Sequence, residues 1–286
     1  PGRAMVAPVA RGKTRMKVFV FDLLAYGENL EHLRQADGLP YPLPRQHFKP
    51  DVAVGTYEEH LTAWEEMDRL GYDGVGFNEH HCSPYGLMNS PNLLAAAAAQ
   101  RTKNLKLLIY GNLLPLHEPL RLAEELAMLD CLSRGRLICG IARGIPREYQ
   151  VHNVPMEESR SRFEEAYDIL MKAWTEEVFS HQGRHWSYRD VAIWPRPMQR
   201  PHPPVWMPVT GSKESIEWAA ARGIPITPGG STRGLREDTL RYYAQCMARA
   251  GLKYTPEHAS IAAITYVADS KARAVEENAQ IGRAHV

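Results

Sequence analysis

Short apolar runs alternate along the chain with longer segments in which apolar residues recur every three to four positions. A short apolar run that ends in polar residues is typical of a buried strand, and the longer period is typical of an amphipathic helix. The pattern predicts strands at residues 16–24, 73–77, 105–110, 136–142, 205–209, 224–227 and 261–267. It predicts helices at residues 56–70, 90–99, 118–132, 157–177, 212–223 and 238–250, and one more helix after the last strand.

The repeated order of strand and helix predicts a parallel sheet with helices on its outside. Eight such units close a TIM (β/α)8 barrel, and seven leave a gap beside the first strand. The predicted fold class is therefore an α/β barrel of the TIM type that is truncated after its seventh strand and helix. A doubly wound sheet is the alternative, but residues 21–30 (FDLLAYGENL) hold one glycine where a dinucleotide-binding loop needs three.

The two ends of the chain depart from the barrel pattern. Residues 1–15 are basic, rich in proline and glycine and without periodicity, which predicts a disordered leader or a misplaced start upstream of Met16. Residues 281–286 (IGRAHV) follow the last predicted helix without a cap and resemble a non-native tail. One domain is predicted to extend over residues 16–280.

Composition narrows the class of partner. The 286 residues carry 34 Lys plus Arg and 33 Asp plus Glu, a net charge of +1, so no charge bias indicates nucleic acid or an anionic membrane. The four cysteines show no C-x-x-C spacing and are typical of reduced thiols in a cytoplasmic protein. No stretch approaches the ~18 apolar residues of a membrane span. The predicted partners are small molecules.

The segment at residues 72–81 (YDGVGFNEHH) carries the clearest candidate chemistry. An apolar run ends there in an acid and two histidines, so a polar site is predicted at the C-terminal end of a strand. Adjacent side chains of an extended segment point to opposite sides, so only one of His80 and His81 can face that site. An imidazole can take up or donate a proton near neutral pH. A pair of structural histidines is the alternative, and a metal site is disfavoured because the H-E-x-x-H spacing is missing.

Other polar residues follow the later strands. Ser212 and Ser215 lie at the start of a predicted helix, where free N–H groups and the helix dipole favour an anion, although ordinary capping is the alternative. Arg143 follows the fourth strand and can reach either a phosphate or an acid such as Glu148. Gly111 follows the third strand, at a place where backbone can approach a ligand closely.

Five motifs occur on these elements in a fixed order. They are EHHCSPYGL after the second strand, LPLHEPLRLAEELAMLDCLSRGRL across the third helix, GIARG, MEESRSRFEEA and TGSKESIEWAA. Each motif is weak alone, but together the five resemble the bacterial luciferase-like flavin-dependent monooxygenases, whose fold is a TIM barrel. The resemblance extends over about residues 16–280. It implies a two-component enzyme that uses reduced FMN and O2 to oxidise a small apolar organic substrate.

The resemblance also implies roles for individual residues. His80 occupies the position of the catalytic histidine. The flavin phosphate would be held by Arg143, Arg160 (rather than its neighbour Arg162), Ser212 and Ser215. The flavin ring would lie against the strand ends at Tyr110, Gly111 and Ala142. Light-emitting members carry a reactive cysteine where this chain has Ala142, which argues against luminescence but not against oxygenation.

Two further partners follow from the same resemblance, namely a separate flavin reductase and a second copy of the chain in a homodimer. The alternatives are an F420-dependent oxidoreductase of the same superfamily and a non-catalytic flavin-binding protein. Relatives that use F420 usually lack an intact EHH segment, which favours the monooxygenase. The segments at residues 25–55 and 181–204 are expected to shape the substrate pocket.

Overall fold

The computed structural model describes residues 16–35, 38–229, 233–263 and 265–281. The strands are β1 (Phe19–Asp22), β2 (Gly74–Phe77), β3 (Lys106–Leu113), β4 (Leu137–Ala142), β5 (Phe179–Gln182), β6 (Ser187–Val191), β7 (Val205–Val209) and β8 (Ile226–Pro228). The α-helices are α1 (Pro50–Leu70), α2 (Pro91–Arg101), α3 (Pro119–Leu132), α4 (Pro146–Val151), α5 (Ser159–Thr175), α6 (Lys213–Ala221), α7 (Arg233–Arg249) and α8 (Lys271–Ile281).

Six of the strands form one parallel sheet in the order β1-β2-β3-β4-β7-β8. The sheet curls into a half-barrel, and the helices that connect its strands cover its outside. β5 and β6 form a separate antiparallel hairpin, as the sequence between residues 181 and 204 predicts. Because all six strands are parallel, their C-terminal ends lie at one edge, which we call the C-terminal edge. The first six predicted strands are confirmed.

The seventh predicted strand, at residues 261–267, is wrong for the residues that the structure describes there. The residues just before it meet the sheet through a bridge between Ala259 and Ile226, the bond from Ser260 N to the carbonyl of Ile226 and a hydrogen bond between the Ser260 and Thr227 hydroxyls. Ile261 and Val267 are 66% and 86% exposed, so the apolar residues that suggested a strand find no surface to pack on. A strand needs a partner for its backbone as well as an apolar pattern. The described sheet is therefore an open half-barrel.

The first helix begins earlier than the sequence pattern predicts. Thr56 is a plausible N-cap, but in the structure it lies inside α1, where its hydroxyl donates to the carbonyl of Val52 at 2.8 Å. Pro50 occupies the first turn, where a missing N–H costs nothing. Gly71 ends the helix at φ 81°, as predicted. α7 likewise begins before residue 238.

The core lies between the sheet and its helices. Strand residues such as Phe77, Leu107 and Ile109 are fully buried and pack with helix residues such as Trp64 and Leu126. The predicted boundaries of the domain stay a prediction, because residues 1–15 and 282–286 lie outside the described residues.

The proline-rich segment after the hairpin lies at the opposite edge from the strand C-terminal ends. Gln199 donates from its backbone N to Asp130 Oδ2 at 2.8 Å and from Nε2 to the carbonyl of Leu137, the first residue of β4. The expectation that the whole of residues 181–204 shapes the pocket is therefore wrong for this part of the segment.

Candidate functional site

A buried carboxylate organises the end of β2. Glu79 is 2% exposed and accepts hydrogen bonds from His81 Nε2 at 2.9 Å, from His117 Nε2 at 2.9 Å and from Leu113 N at 3.0 Å. Burial alone would raise the pKa of Glu79, but the hydrogen bonds from His117 and His81 lower it to about 2. Burial disfavours charge on His117 as well, yet its bond to Glu79 raises the pKa of that imidazole.

His80 is held by a different acid. Its Nδ1 lies 3.0 Å from Oε1 of Glu148, a residue of α4 that is 2% exposed. The other carboxylate oxygen of Glu148 accepts a bond from Ile145 N at 2.8 Å, so the acid is fixed at both ends. As the alternation of an extended segment predicts, His80 and His81 contact different groups. The alternative of a salt bridge between Arg143 and Glu148 is wrong, because Glu148 pairs with His80.

A cleft opens beside His80 at the C-terminal edge. Its volume is about 290 Å³. The residues that line it come from the segments after β2 and β4, namely His80, His81, Ser83, Tyr85, Ile145, Arg147 and Glu148. Both histidines line the cleft, so the expectation that only one of them faces the site is wrong. Nε2 of His80 bonds to none of the described residues, so this nitrogen is available to a bound molecule. The edge of the His80 ring meets the Tyr85 ring with centroids 5.0 Å apart.

A second group of polar residues lies at the start of α6. Ser212 is the N-cap, and its Oγ accepts bonds from Ser215 N at 3.4 Å and from Ser215 Oγ at 3.2 Å. Arg160 in the first turn of α5 and Arg143 after β4 approach the same place, and Arg143 Nη1 lies 3.5 Å from Ser159 Oγ. The four residues implied for phosphate binding are thus brought together from three separate parts of the chain.

This group also contains an acid, Glu214, that was not predicted from the sequence. Glu214 accepts a bond from the Ser212 hydroxyl at 2.8 Å and lies 3.9 Å from Arg160 Nη2. The hydrogen bond from Ser212 lowers the pKa of Glu214, and the charges of Arg160 and Arg143 act in the same direction. The cluster therefore already stabilises one carboxylate, that of Glu214, at a helix N-terminus. An acid in the first turn of a helix is the sequence signal that could have identified Glu214.

The residues implied for the flavin ring lie where β3 meets β4. Between the pairs Ile109↔Cys139 and Asn112↔Ile141, β3 contains two residues, Tyr110 and Gly111, where β4 contains one. This is a β-bulge, and the Tyr110–Gly111 peptide bond is cis. A Cβ on Gly111 would lie 2.8 Å from the backbone of Gly140, so the close approach predicted for Gly111 is to the neighbouring strand. Ala142 ends β4 and is partly exposed.

The family model described as luciferase-like monooxygenase matches residues 41–286. The chain belongs to this family. The resemblance inferred from the five motifs is thereby confirmed, and with it the assignment to the flavin-dependent, luciferase-like monooxygenases.

Two curated proteins illustrate the sequence similarity. The chain is 41% identical over 184 residues to an uncharacterised protein of Sinorhizobium fredii, a match that covers 64% of this chain and 54% of that protein. It is 30% identical over 177 residues to the oxygenase component of the flavin-dependent trigonelline monooxygenase of Acinetobacter baylyi, covering 60% and 49% of the two chains. The chain spans about half the length of these curated relatives.

Two solved structures show the same fold. Monooxygenase RslO1 of Streptomyces bottropensis superposes with a TM-score of 0.78 at 30% identity, covering 94% of this chain and 77% of that one. The oxygenating constituent of 3,6-diketocamphane monooxygenase of Pseudomonas putida, a type II Baeyer-Villiger monooxygenase in complex with FMN, gives a TM-score of 0.77 at 21% identity, covering 94% and 73%. The half-barrel thus superposes on part of each of these two monooxygenases.

Within this luciferase-like chain, the described residues contain no group of three or more His, Cys, Asp or Glu that could hold a metal ion. No described helix combines the length and the apolar character that crossing a membrane requires. All four cysteines are free thiols, with Cys82 and Cys131 exposed.

Besides Glu214, several residues of the candidate site were not predicted as members of it, namely Ser83, Tyr85, Ile145, Arg147, Glu148 and His117. The sequence indicates Glu148 only as a possible partner for Arg143, and it indicates no role for His117 within the motif of the third helix. Arg147 follows the GIARG motif and lines the cleft. A polar residue shortly after a strand end is the signal that Arg147 and Glu148 share.

Proposed function

We propose that this chain is the oxygenase component of a two-component flavin-dependent monooxygenase, which uses reduced FMN and O2 to oxidise a small organic substrate. The observation that carries the proposal is the approach of Arg160 to the N-terminus of α6, where its guanidinium lies 3.9 Å from Glu214 and 3.3 Å from Glu164, with Arg143 beside Ser159 at the start of the same helix, α5. An anion site at this edge of a barrel suits the phosphate of FMN. The FMN complex of the diketocamphane enzyme, which has the same fold, supports the choice of cofactor.

The phosphate of FMN would take the place that the Glu214 carboxylate occupies. Arg143 and Arg160 supply charge, and the hydroxyls of Ser212 and Ser215 donate hydrogen bonds alongside the free N–H groups of α6. Glu214 is an exposed side chain that can turn into solvent as the phosphate arrives. The ring of the flavin would lie against the bulge at Tyr110 and Gly111 and against Ala142.

When bound, reduced FMN supplies the electrons that activate O2. The part of the protein is to orient the reactants, exclude water and move protons. His80 is the residue that we assign to proton transfer. Its Nδ1 is held by Glu148, which orients the ring and leaves Nε2 facing the cleft, where it can give a proton to the substrate oxygen or take one from it.

The same proposal names the partners. A separate flavin reductase would deliver reduced FMN, as the description of the Acinetobacter relative as an oxygenase component supports. We propose that the chain forms a homodimer. We also propose that it acts in the cytoplasm, since the flavin must be reduced and transferred there.

Anaerobic titration with photoreduced FMN tests the proposal. We expect saturable binding to the wild type, and binding at least about tenfold weaker in Arg160→Gln, because the loss of one charge-assisted contact to a phosphate costs about this factor. His80→Gln should bind reduced FMN as the wild type does. After mixing with air, the recovery of oxidised-flavin absorbance should follow a different time course in His80→Gln.

The outcomes separate the alternatives. Binding without any difference between the wild type and His80→Gln after mixing with air would indicate a non-catalytic flavin-binding protein. Absence of FMN binding, together with binding of reduced F420, would indicate the F420-dependent oxidoreductase. An unchanged affinity in Arg160→Gln would overturn the phosphate site.

A further inference from the structure

One cation in the cleft, Arg147, pairs with no acid of the described part of the chain. Arg147 lies on the wall of the same 290 Å³ cleft that His80 lines, and it forms neither an ion pair nor a hydrogen bond with any described residue. Unpaired arginines are ordinary on a protein surface, and Arg189 on the hairpin is another. What distinguishes Arg147 is its place in a cleft beside the proposed proton-transfer residue.

The acids that could neutralise Arg147 are engaged elsewhere. Glu148, its neighbour in the chain, holds His80 with one oxygen and Ile145 N with the other. Glu79, the acid on the far side of the histidine pair, is occupied by His81, His117 and a backbone N–H. Among the described residues, neither acid therefore contacts the guanidinium of Arg147.

The single contact of Arg147 leaves its hydrogen-bond donors available. The centre of its guanidinium lies 4.5 Å from the centroid of the Tyr41 ring, which belongs to the segment before α1. A cation–π contact orients the guanidinium but uses none of its N–H groups. All five donors of the group thus remain without a hydrogen-bond partner among the residues that the structure describes, in the planar fork that matches a carboxylate.

We propose that the substrate of this enzyme is an organic carboxylate, and that Arg147 binds the carboxylate while the carbon skeleton lies against His80, Tyr85 and Ile145. This inference rests on the proposed function and replaces the expectation of a small apolar organic substrate with an anionic one. The cleft is at the lower end of the size range of ligand sites, roughly 300–1,000 Å³. A single ring or a short chain with one carboxylate suits this volume, and a long fatty chain does not.

Matched pairs of neutral and charged probes test the proposal. Benzoate with benzamide, cyclohexanecarboxylate with cyclohexanecarboxamide, and hexanoate with hexanamide differ in charge at nearly constant shape. Their affinities for the protein can be measured by ligand-observed NMR at low ionic strength. We expect at least one carboxylate to bind about tenfold more tightly than its amide, the factor of one charge-assisted pair.

The variants show which residue provides the preference. Arg147→Gln should abolish the difference between carboxylate and amide, Arg147→Lys should retain part of it, and Arg189→Gln should leave it unchanged. No preference for any carboxylate in the wild type would overturn the proposal. So would a preference that survives in Arg147→Gln but disappears in Arg160→Gln, since the carboxylate would then occupy the phosphate cluster.

The flavin titration is a separate readout. Arg147→Gln should bind reduced FMN as the wild type does. If the wild type prefers carboxylates through Arg147 but binds no reduced FMN, the proposed function fails and the carboxylate site stands. If the wild type binds reduced FMN but shows no preference for carboxylates, the carboxylate site fails and the proposed function stands.

Discussion

Glu79 is the most highly connected acid of the candidate site. It is buried, and three donors on three different segments converge on it. Removing one member of a buried charged network leaves the others unpaired, which costs more than the network itself contributes. Glu79 thus ties the ends of β2 and β3 to the turn before α3, and His80 depends on this support for its position.

We predict that Glu79→Gln lowers the free energy of unfolding at pH 7 by about 3–5 kcal/mol, the range for breaking a buried ion pair. The folded-state pKa of about 2 lies below the ordinary value of 4.5, so the carboxylate contributes its full stability above pH 4.5 and loses it as the pH falls toward 2. The difference between wild type and variant should therefore shrink over this interval. Urea unfolding at several pH values between 7 and 3 measures it.

The matched variant is Glu66→Gln, which alters an exposed acid paired with Arg69 on the surface of α1. It should leave the unfolding midpoint unchanged at pH 7. A difference between wild type and Glu79→Gln that stays constant down to pH 3 would contradict the assignment of the effect to the ionised carboxylate.

The pairing of β3 with β4 depends on two glycines that oppose each other at the bulge. A Cβ built on Gly140 would lie 1.7 Å from the carbonyl oxygen of Ile109, a backbone atom that cannot move aside without breaking the strand pairing. Gly111 meets the backbone of Gly140 from the other side. Two strands can approach this closely only where neither carries a side chain.

We predict that Gly140→Ala lowers the free energy of unfolding by at least about 3 kcal/mol, the upper end for an overpacked core. Gly55→Ala, in the middle of α1 with no atom within 4 Å of the added Cβ, should instead raise it by about 0.5–1 kcal/mol through helix propensity. Chemical denaturation of both variants measures the contrast. Equal effects of the two substitutions would mean that the bulge is not as tight as described.

Elements with a strong local pattern were predictable, and elements defined by distant partners were not. The strand at residues 73–77 and the helix ended by Gly71 follow from apolar period and turn chemistry alone. The start of α1 at Pro50 was not predicted, because residues 50–55 carry no clear apolar period. The expected strand at residues 261–267 has the right pattern, but pairing depends on backbone groups elsewhere in the chain.

The same limit applies to the candidate site. His80, Arg143 and Ser212 could be predicted because each follows a strand end, and parallel strands bring their ends to one edge. The pairing of His80 with Glu148 joins residues 68 positions apart, and neither residue reveals it locally. The position of Glu214 in the first turn of α6 could be predicted locally, but its approach to Arg160, 54 positions earlier in the chain, could not.

The two edges of the main sheet carry different groups of residues. The C-terminal edge carries the cleft and the anion cluster, whereas the opposite edge is closed by a buried cation. This cation is Arg136, which donates from Nε to Ser133 O at 2.8 Å and from Nη2 to Ala99 O at 2.8 Å. Its Nη1 donates to Leu105 O and to Thr102 Oγ1, both at 2.9 Å. It therefore joins the end of α2, the start of β3 and the turn before β4. Burial lowers the pKa of Arg136, and its bonds to carbonyls hold it in place.

This division predicts that stability and binding can be changed separately. Arg136→Met should lower the free energy of unfolding by about 3 kcal/mol or more, because several buried carbonyls lose their donor at 1–3 kcal/mol each. Below its own melting temperature the variant should still bind reduced FMN as the wild type does, since Arg143 and Arg160 lie at the other edge. Arg101→Met, which removes the surface pairs with Glu58 and Glu65 at the end of α2, should change neither quantity. Urea unfolding measures the stability of each variant, and the flavin titration on the same preparations measures its affinity for reduced FMN. A loss of flavin affinity in Arg136→Met at a temperature where the variant is fully folded would show that the two edges are coupled.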